Sequence, residues 1–146
     1  MSQGPNAQVG CIPCNDLDKL VIKKYPFAYC INDQPYPEMG NHWVAMYIHS
    51  RGSSLEFFCS FGKPISRYLP HFQNFANRNK LKIVQSNICL QSMLSDVCGQ
   101  YVIYYIYNRL RRCSRNTFYA KFSSNVKRND DLVRAFVNKY KAQYYN

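Results

Sequence analysis

Residues 98–113 read CGQYVIYYIYNRLRRC, and this stretch decides how the rest of the chain folds. It is apolar on nearly every side before its basic end, which is the pattern of a helix buried on most of its faces. Arginines at the end of such a helix lie near backbone carbonyls that carry partial negative charge, so they suit its C-terminus. The stretch therefore predicts a central helix around which the other elements pack.

Upstream of residue 98, short apolar runs separated by turn residues predict strands. The run PFAYCI at 26–31 fits a buried strand, and LKIVQ at 81–85 alternates as a further strand would. The runs WVAMYIH at 43–49 and LEFFCSF at 55–61 flank the turn residues 51–54. Two strand-forming runs joined by such a turn predict a hairpin.

The remaining periodic segments predict peripheral helices. Residues 15–20 open with polar capping residues and predict a short helical turn. Apolar residues recur at helical spacing across 65–75, with Pro70 expected to split the segment. Residues 129–131, which read NDD, suit the cap of an amphipathic last helix.

Together these patterns predict one α+β domain over residues 1–146, with a small mixed or antiparallel sheet packed against a central buried helix and peripheral helices. The polar opening residues 1–10 are expected to form a flexible arm. Hydrophobic residues make up 47% of the chain and charged residues 18%, which is typical of a packed globule and argues against disorder.

The sequence predicts neither a membrane-spanning segment nor secretion. No window approaches the roughly 18 uninterrupted apolar residues of a membrane span, so no contact with a membrane is predicted. The opening residues MSQGPNAQVG lack the basic and then apolar layout of a signal peptide, so the protein is not expected to be secreted.

The charge balance points to a polyanionic partner. The formal net charge is +11, from 19 Lys and Arg against 8 Asp and Glu, which favours nucleic acid, although solubility alone is the simpler interpretation. The basic residues concentrate in the last third of the chain, at Arg109, Arg111, Arg112, Arg115, Lys121, Lys127, Arg128, Arg134, Lys139 and Lys141. DNA is therefore an expected partner, bound mainly through its phosphates.

The seven cysteines predict reduced thiols and no metal site. Their odd number, together with the missing signal peptide, favours a reducing compartment. Cys11 and Cys14 form a CxxC pair, but zinc needs two further ligands and the chain holds no second such pair.

Three separate segments carry residues suited to nucleophilic catalysis. Cys98 stands in the predicted first turn of the central helix, where a helix N-terminus and a nearby imidazolium would lower a thiol pKa. His42 could supply the base, and Gln91 with the Cys98 backbone N–H could stabilise an oxyanion. Taken singly, such a cysteine is more often a core residue and such a histidine a structural one, so their order along the chain carries the prediction.

That order resembles the adenovirus protease (adenain) family, and especially its relatives in polinton-type and adintovirus-like elements. The shared features are His42-Trp43, a strand ending in the Phe61-Gly62 turn, and Gln91 followed by Cys98-Gly99 before an apolar helix. The resemblance covers about residues 24–112. The SUMO-type proteases share this fold and a similar residue order, and they are the nearest group with which the family can be confused.

The resemblance implies a cysteine endopeptidase in which Cys98 is the nucleophile, His42 the general base and Gln91 an oxyanion donor. Proteases of this family cleave virion precursor proteins after small residues such as Gly. The resemblance also implies DNA and a short viral activating peptide as cofactors, no metal, and a location in the virion and the host cell nucleus.

One family position is changed in this chain. Where the family has an acidic residue that orients the histidine, the sequence has Cys59. Because a thiol carries no charge, we expect reduced activity, loss of catalysis, or rescue by another acid such as Asp33. Glu56 is predicted to point to the opposite face of its strand, and Ser60 could accept a hydrogen bond but is uncharged. A cysteine–histidine ion pair formed before substrate binds would tolerate a neutral orienter best.

The sequence also leaves the cofactor and the substrate class open. The family's cysteine that binds the activating peptide would fall near Lys80, and Cys89 is too close to Gln91 to replace it, so no covalent peptide is expected. Two other functions remain: an isopeptidase acting on ubiquitin-like proteins, and a catalytically weak DNA-binding component of a capsid or core.

Overall fold

The computed structural model describes residues 7–37 and 42–145 and contains a five-stranded mixed sheet. The strands lie side by side in chain order, β1 (Gln8–Pro13), β2 (Phe27–Asn32), β3 (Trp43–Ile48), β4 (Leu55–Phe58) and β5 (Ile83–Gln85). The central strands β2, β3 and β4 are antiparallel, whereas each outer strand runs parallel to its neighbour. The predicted hairpin and the α+β class with a mixed sheet are confirmed.

In the described part of the chain, four α-helices and two short 3-10 turns surround the sheet. The helices are α1 (Pro70–Arg78), α2 (Cys98–Leu110), α3 (Arg115–Ala120) and α4 (Val126–Tyr145), and the turns span Cys14–Asp18 and Ile65–Arg67. Helix α2 packs on β2 and β3 with one side and on α4 with another. The predicted central helix is therefore confirmed, and Tyr104 and Tyr107 form its contact with Phe136 of α4.

Side chains of the central strands alternate between two apolar layers. On one face, Ala45 and Tyr47 of β3 join the cluster built on α2. On the other face, Val44, Met46 and Ile48 join a second cluster that includes Phe72 and Phe75 of α1. This period of two lets each face of the sheet bury its own core, and the sheet thereby holds the loops at its ends in fixed positions.

A buried ion pair ties β4 to α2. Glu56 accepts hydrogen bonds from Nε and Nη2 of Arg109 at 2.9 and 2.7 Å, and the hydroxyl of Tyr105 donates to it at 2.5 Å. Arg109, one of the basic residues that concentrate in the last third of the chain, is thus held by Glu56 inside the fold. The reason is that a buried carboxylate needs a charged partner, which α2 supplies.

The flexible arm predicted over residues 1–10 is wrong from Gln8 onward. The Gln8–Pro13 strand pairs in parallel with β2, and the Gln8 side chain accepts hydrogen bonds from the backbone N–H groups of Lys23 and Lys24 at 2.7 and 3.1 Å. Residues 1–6 lie outside the described residues. The local sequence does not show this strand, because it is held by backbone pairing with β2 and by the Gln8 side chain, whose partners lie in another segment.

The helix ends differ from the sequence pattern in two places. The last helix begins at Val126, not after residues 129–131, because Oδ1 of Asn125 accepts the N–H of Arg128 at 3.1 Å and caps the helix there. Asn129 is instead buried inside the helix and donates to the carbonyl of Leu90 at 3.1 Å. Pro70 does divide its segment, since α1 starts with it after a 3-10 turn.

Among the described helices, none is both long enough and apolar enough to cross a membrane.

Candidate active site

A cavity of about 590 Å³ lies where β2 ends and where β3 and α2 begin. The predicted site residues His42, Gln91 and Cys98 all line this cavity, although they are far apart along the chain. Asp33, which follows β2, and Tyr68, which follows the Ile65–Arg67 turn, line it as well. The fold therefore brings the sequence-predicted residues to one concave surface.

Cys98 is the first residue of α2, and its side chain is buried, with 6% of its surface exposed. Backbone N–H groups of Trp43, Gly99 and Cys98 itself stabilise its thiolate, as expected at a helix start. Burial outweighs them, and the negative charge of Asp33 adds to it, so the pKa of the Cys98 thiol is raised. The expected lowering of this thiol pKa was wrong, because a sequence pattern does not show how strongly a site is desolvated.

His42 stands directly before β3, packed between the rings of Phe61 and Tyr68 at centroid distances of 5.1 and 6.2 Å. Burial, with a contribution from the positive charge of Lys63, lowers the pKa of His42 from 6.5 to about 4. The ring is therefore neutral near pH 7 and can accept a proton. The two residues before it, Gly40 and Asn41, lie outside the described residues.

Cys59 lies beside His42, at the position that the resemblance implies for an orienting residue. Its sulfur is 3.5 Å from Nε2 of His42 and 3.0 Å from the hydroxyl oxygen of Tyr68, and only 5% of the residue is exposed. A neutral thiol thus occupies the position from which an acid would orient the histidine.

The turn after Cys59 depends on Gly62. This glycine has φ +74°, and its N–H donates to the carbonyl of Cys59 at 2.9 Å. A Cβ at this position would lie 2.7 Å from the carbonyl oxygen of Asn87. Only glycine fits both the left-handed backbone and the close approach of the neighbouring segment, so Gly62 fixes where Cys59 meets His42.

Gln91 is buried and fully engaged in the structure. Its Oε1 accepts from Ser60 Oγ at 2.6 Å, and its Nε2 donates to the carbonyl and the hydroxyl of Ser95, both at 3.1 Å. The backbone N–H of Gln91 also donates to the carbonyl of Ser60 at 3.1 Å. The Ser60 hydroxyl therefore bonds to Gln91. The side-chain amide of Gln91, which was predicted to donate to an oxyanion, donates to Ser95 instead in this structure.

The alternative acids take different positions. Glu56 faces α2 and is bound by Arg109, which confirms that its side chain points away from His42. Asp33 lines the cavity, and its N–H donates to the carbonyl of His42 at 3.0 Å. Asp96 lines the cavity near Cys98 as well. Asp33 thus follows β2, which pairs with β3, the strand that begins directly after His42.

The structure adds to the site one residue, Tyr68, that no sequence pattern singles out. Tyr68 contacts both Cys59 and His42, although it lies in a segment interpreted only as helical. Its pKa is raised by burial and by the neighbouring Cys59 and Asp33, so its hydroxyl keeps its proton. No local signal marks it, because the contact depends on how the turn before α1 packs against β4.

Gly99 leaves room beside the nucleophile. A Cβ added there would meet only Cδ1 of Trp43, at 4.0 Å, which is an ordinary contact. The chain itself therefore does not require a glycine here, and the open space lies next to Cys98.

The two cysteines of the CxxC pair lie in different surroundings. Cys14 is buried in the core and burial raises its pKa to about 11, while Cys11 is exposed on β1 opposite Cys30. Within residues 7–37 and 42–145, no group of three His, Cys, Asp or Glu side chains is arranged to hold a metal ion, and no disulfide joins the cysteines.

No protein-family model matches the chain, and no curated protein matches it. Solved structures that share its fold include a viral protease and a bacterial domain. The ASFV pS273R protease superposes with a TM-score of 0.58 at 19% identity, over 88% of this chain and 59% of the protease. The central domain of the uncharacterized Lpg1148 protein from Legionella pneumophila gives a TM-score of 0.58 at 12% identity, over 98% of this chain and 90% of that domain. The chain thus has the fold of a viral cysteine protease and spans about three fifths of that protease's length.

Proposed function

We propose that this chain is a cysteine endopeptidase in which Cys98 attacks the carbonyl carbon of the scissile peptide bond. The observation that supports it most is the cavity that collects Cys98, His42 and Gln91 from three separate segments of a fold shared with a viral protease. Nucleophile, base and amide donor are the groups that acyl transfer to a cysteine requires.

The proton moves with the attack rather than before it. A raised pKa of Cys98 and a lowered pKa of His42 both favour a neutral thiol and a neutral imidazole in the resting state. The bond from sulfur to carbon forms as His42 takes the thiol proton, and His42 then gives that proton to the departing amine as the peptide C–N bond breaks. Water hydrolyses the resulting thioester and regenerates Cys98.

The oxyanion that forms in this step needs two donors. We assign them to the backbone N–H of Cys98 and to Nε2 of Gln91. Nε2 of Gln91 donates to Ser95 in the structure, so one of these two hydrogen bonds must be exchanged for the bond to the oxyanion. The amide group of Gln91 therefore becomes available to the oxyanion only when substrate is bound, and it is not free for that role in the resting state.

For the substrate, we propose precursor proteins of a virion, cleaved after a small residue such as Gly. The support is the motif order of the adenain-like proteases and the open space beside Gly99, which leaves room for a backbone to approach Cys98. A viral activating peptide and a location in the virion and the host nucleus belong to the same proposal.

DNA is the proposed second partner, and a catalytically weak DNA-binding component is the second candidate function. What favours it is a set of exposed cations at the end of α2 and along α4 and the segment before it. Its members are Arg111, Arg112, Lys121, Lys127, Arg128, Lys139 and Lys141. Binding by such a surface weakens steeply as salt concentration rises.

The test applies three different ligands to the same set of protein variants. Internally quenched peptides with Gly before the scissile bond, a ubiquitin-like protein fusion, and duplex DNA are each assayed with the wild type, with Cys98→Ala, and with Cys113→Ala as a matched control three residues beyond the C-terminus of α2. Peptide cleavage that is lost only in Cys98→Ala supports the proposal. Cleavage of the fusion alone indicates an isopeptidase, and DNA binding without any cleavage in the presence of DNA indicates the binding protein.

A further inference from the structure

We infer that Asp130, a buried residue of α4, is a positioning residue that holds Gln91 where its side-chain amide can reach the oxyanion. The inference rests on the proposed role of Gln91 as an oxyanion donor. Asp130 is not among the residues that line the cavity, and it acts through the segment that carries Gln91.

Asp130 is buried in a way that packing alone does not explain. Only 2% of its surface is exposed, and within residues 7–37 and 42–145 it forms no ion pair. Arg134, one turn further along α4, pairs with Asp131 instead. A carboxylate taken out of water without a cation costs free energy, and an apolar residue of similar size would serve the packing better. The hydrogen bonds of Asp130 indicate its role.

A single oxygen of Asp130 connects the Gln91 segment to α2. Oδ1 accepts the hydroxyl of Tyr101 at 2.7 Å and the backbone N–H of Ser92 at 3.4 Å. The hydroxyl oxygen of Tyr101 also lies 3.1 Å from the Leu90 carbonyl oxygen, but the hydroxyl has one hydrogen and the charged carboxylate is the stronger acceptor. Asp130 thus ties the residue after Gln91 to a fully buried ring.

The preceding residue of α4 holds the other side of Gln91. Nδ2 of Asn129 donates to the carbonyl of Leu90 at 3.1 Å. The N–H groups of Leu90 and Gln91 donate to the Ser60 carbonyl at 2.8 and 3.1 Å. The backbone on both sides of Gln91 is therefore bonded, and two adjacent residues of α4 supply the bonds on one side of the segment.

This framework matters because the Gln91 side chain must exchange partners during the reaction. Its Nε2 gives up a bond to Ser95 when it turns to the oxyanion. An oxyanion donor acts only near hydrogen-bond distance, and a misplacement of about 1 Å can cost on the order of 10²-fold in rate. A backbone fixed at Leu90 and Ser92 lets the side chain turn while its Cα stays in place.

Three substitutions test the contact through turnover. Asp130→Ala removes the acceptor, and Tyr101→Phe removes the hydroxyl that orients it. We expect kcat to fall ~10- to 100-fold in Asp130→Ala and by a smaller factor in Tyr101→Phe, with KM little changed, because the oxyanion exists only after attack. Asp130→Asn keeps an accepting oxygen, so it should recover kcat to within about threefold of the wild type.

Tyr105→Phe is the matched control. Tyr105 lies one turn further along α2 and is nearly as inaccessible as Tyr101, and its hydroxyl also donates to a buried carboxylate. That carboxylate belongs to Glu56 of β4, so the bond does not lead to the Gln91 segment. Tyr105→Phe should therefore lower stability and leave kcat unchanged.

Hydrogen exchange of the Gln91 side-chain amide reads the position of the segment without substrate. Its NMR signals are identified by their loss in Gln91→Ala. Gln91 is buried, so we expect slow exchange in the wild type and exchange at least ~tenfold faster in Asp130→Ala and Tyr101→Phe. Tyr105→Phe should exchange as the wild type does. Should Asp130→Ala fail to fold, Tyr101→Phe carries both measurements.

A double variant tests whether Asp130 acts through Gln91. With Gln91 already replaced by alanine, Asp130→Ala should lower kcat by no more than about a factor of two. Two outcomes would overturn the inference: wild-type amide exchange in Asp130→Ala and Tyr101→Phe, or an equal loss of kcat from Asp130→Ala with and without Gln91. Absence of peptidase activity in the wild type would count against the proposed function, and the exchange measurement would then decide the inference alone.

Discussion

Nε2 of His42 lies 3.5 Å from the sulfur of Cys59, which is buried, while His42 itself is partly buried. A histidine buried against a neutral partner loses the favourable charge interaction that would keep it protonated, so burial lowers its pKa to about 4. The site therefore holds a neutral base beside a neutral thiol. Its chemistry depends on a proton transfer during attack and not on a standing ion pair.

Replacing Cys59 with Asp should raise turnover. The carboxylate would accept Nε2–H and stabilise the imidazolium that forms during attack, with an expected gain of about 10- to 100-fold in kcat. The matched control is Cys59→Ser, which keeps a small neutral group and should give no gain. Unchanged turnover in Cys59→Asp would mean that another group already orients His42.

Stability should fall with decreasing pH because of His42. The unfolded chain binds a proton there below about pH 6.5, whereas the folded chain does so only below about pH 4, so the unfolded state gains protons first. The free energy of unfolding should therefore decrease between pH 6.5 and 4, by on the order of 3 kcal/mol from this residue. Urea unfolding across this range should show a shallower decrease in His42→Gln, and parallel curves for the two proteins would contradict the assignment.

Replacing two glycines by alanine should distinguish the stability cost of backbone strain from the cost of a close contact. Gly62 and Gly52 both have positive φ, at +74° and +85°, but an added Cβ meets the Asn87 carbonyl in the first case and open space in the second. We expect Gly52→Ala to cost about 1 kcal/mol from the backbone alone and Gly62→Ala about 2–4 kcal/mol. Thermal unfolding of both variants measures this. Equal costs would mean that the Asn87 segment moves away easily and does not fix the turn.

Glu56 should matter for stability and not for the proton transfer. Glu56→Gln leaves Arg109 buried without its charged partner, and we expect a loss of about 3 kcal/mol. Asp131→Asn, which breaks the exposed pair with Arg134, should change stability little. Chemical denaturation gives both values, and a changed pH profile of turnover in Glu56→Gln would show that Glu56 also acts on His42.

Much of the fold could be predicted because the strongest periodic patterns decide it. The central helix from Cys98 and the hairpin follow from apolar runs and the turns between them, whereas the grouping of His42, Cys59 and Cys98 was implied by the resemblance to the adenain family. The mixed sheet and its helical layers were predictable for the same reason.

What the sequence could not show depends on contacts between distant segments. The Gln8–Pro13 strand pairs with β2, and the side chain of its first residue bonds to the backbone of Lys23 and Lys24, more than ten residues away, so no local pattern marks it. The raised pKa of Cys98 reflects burial that only the packed structure defines. Tyr68 meets Cys59 across nine residues of turn and 3-10 helix, with no repeat or motif to mark the contact.

The most direct test of the central claim is covalent trapping with a peptide vinyl sulfone that carries a small residue at the cleavage position. The modified residue is located by mass spectrometry in the wild type and in His42→Ala, with and without duplex DNA. The account predicts one adduct, on Cys98, which forms near pH 7 and is at least about tenfold slower in His42→Ala. An adduct on Cys59 or on the exposed Cys11 and Cys89 instead, or equal rates in the two proteins, would contradict it.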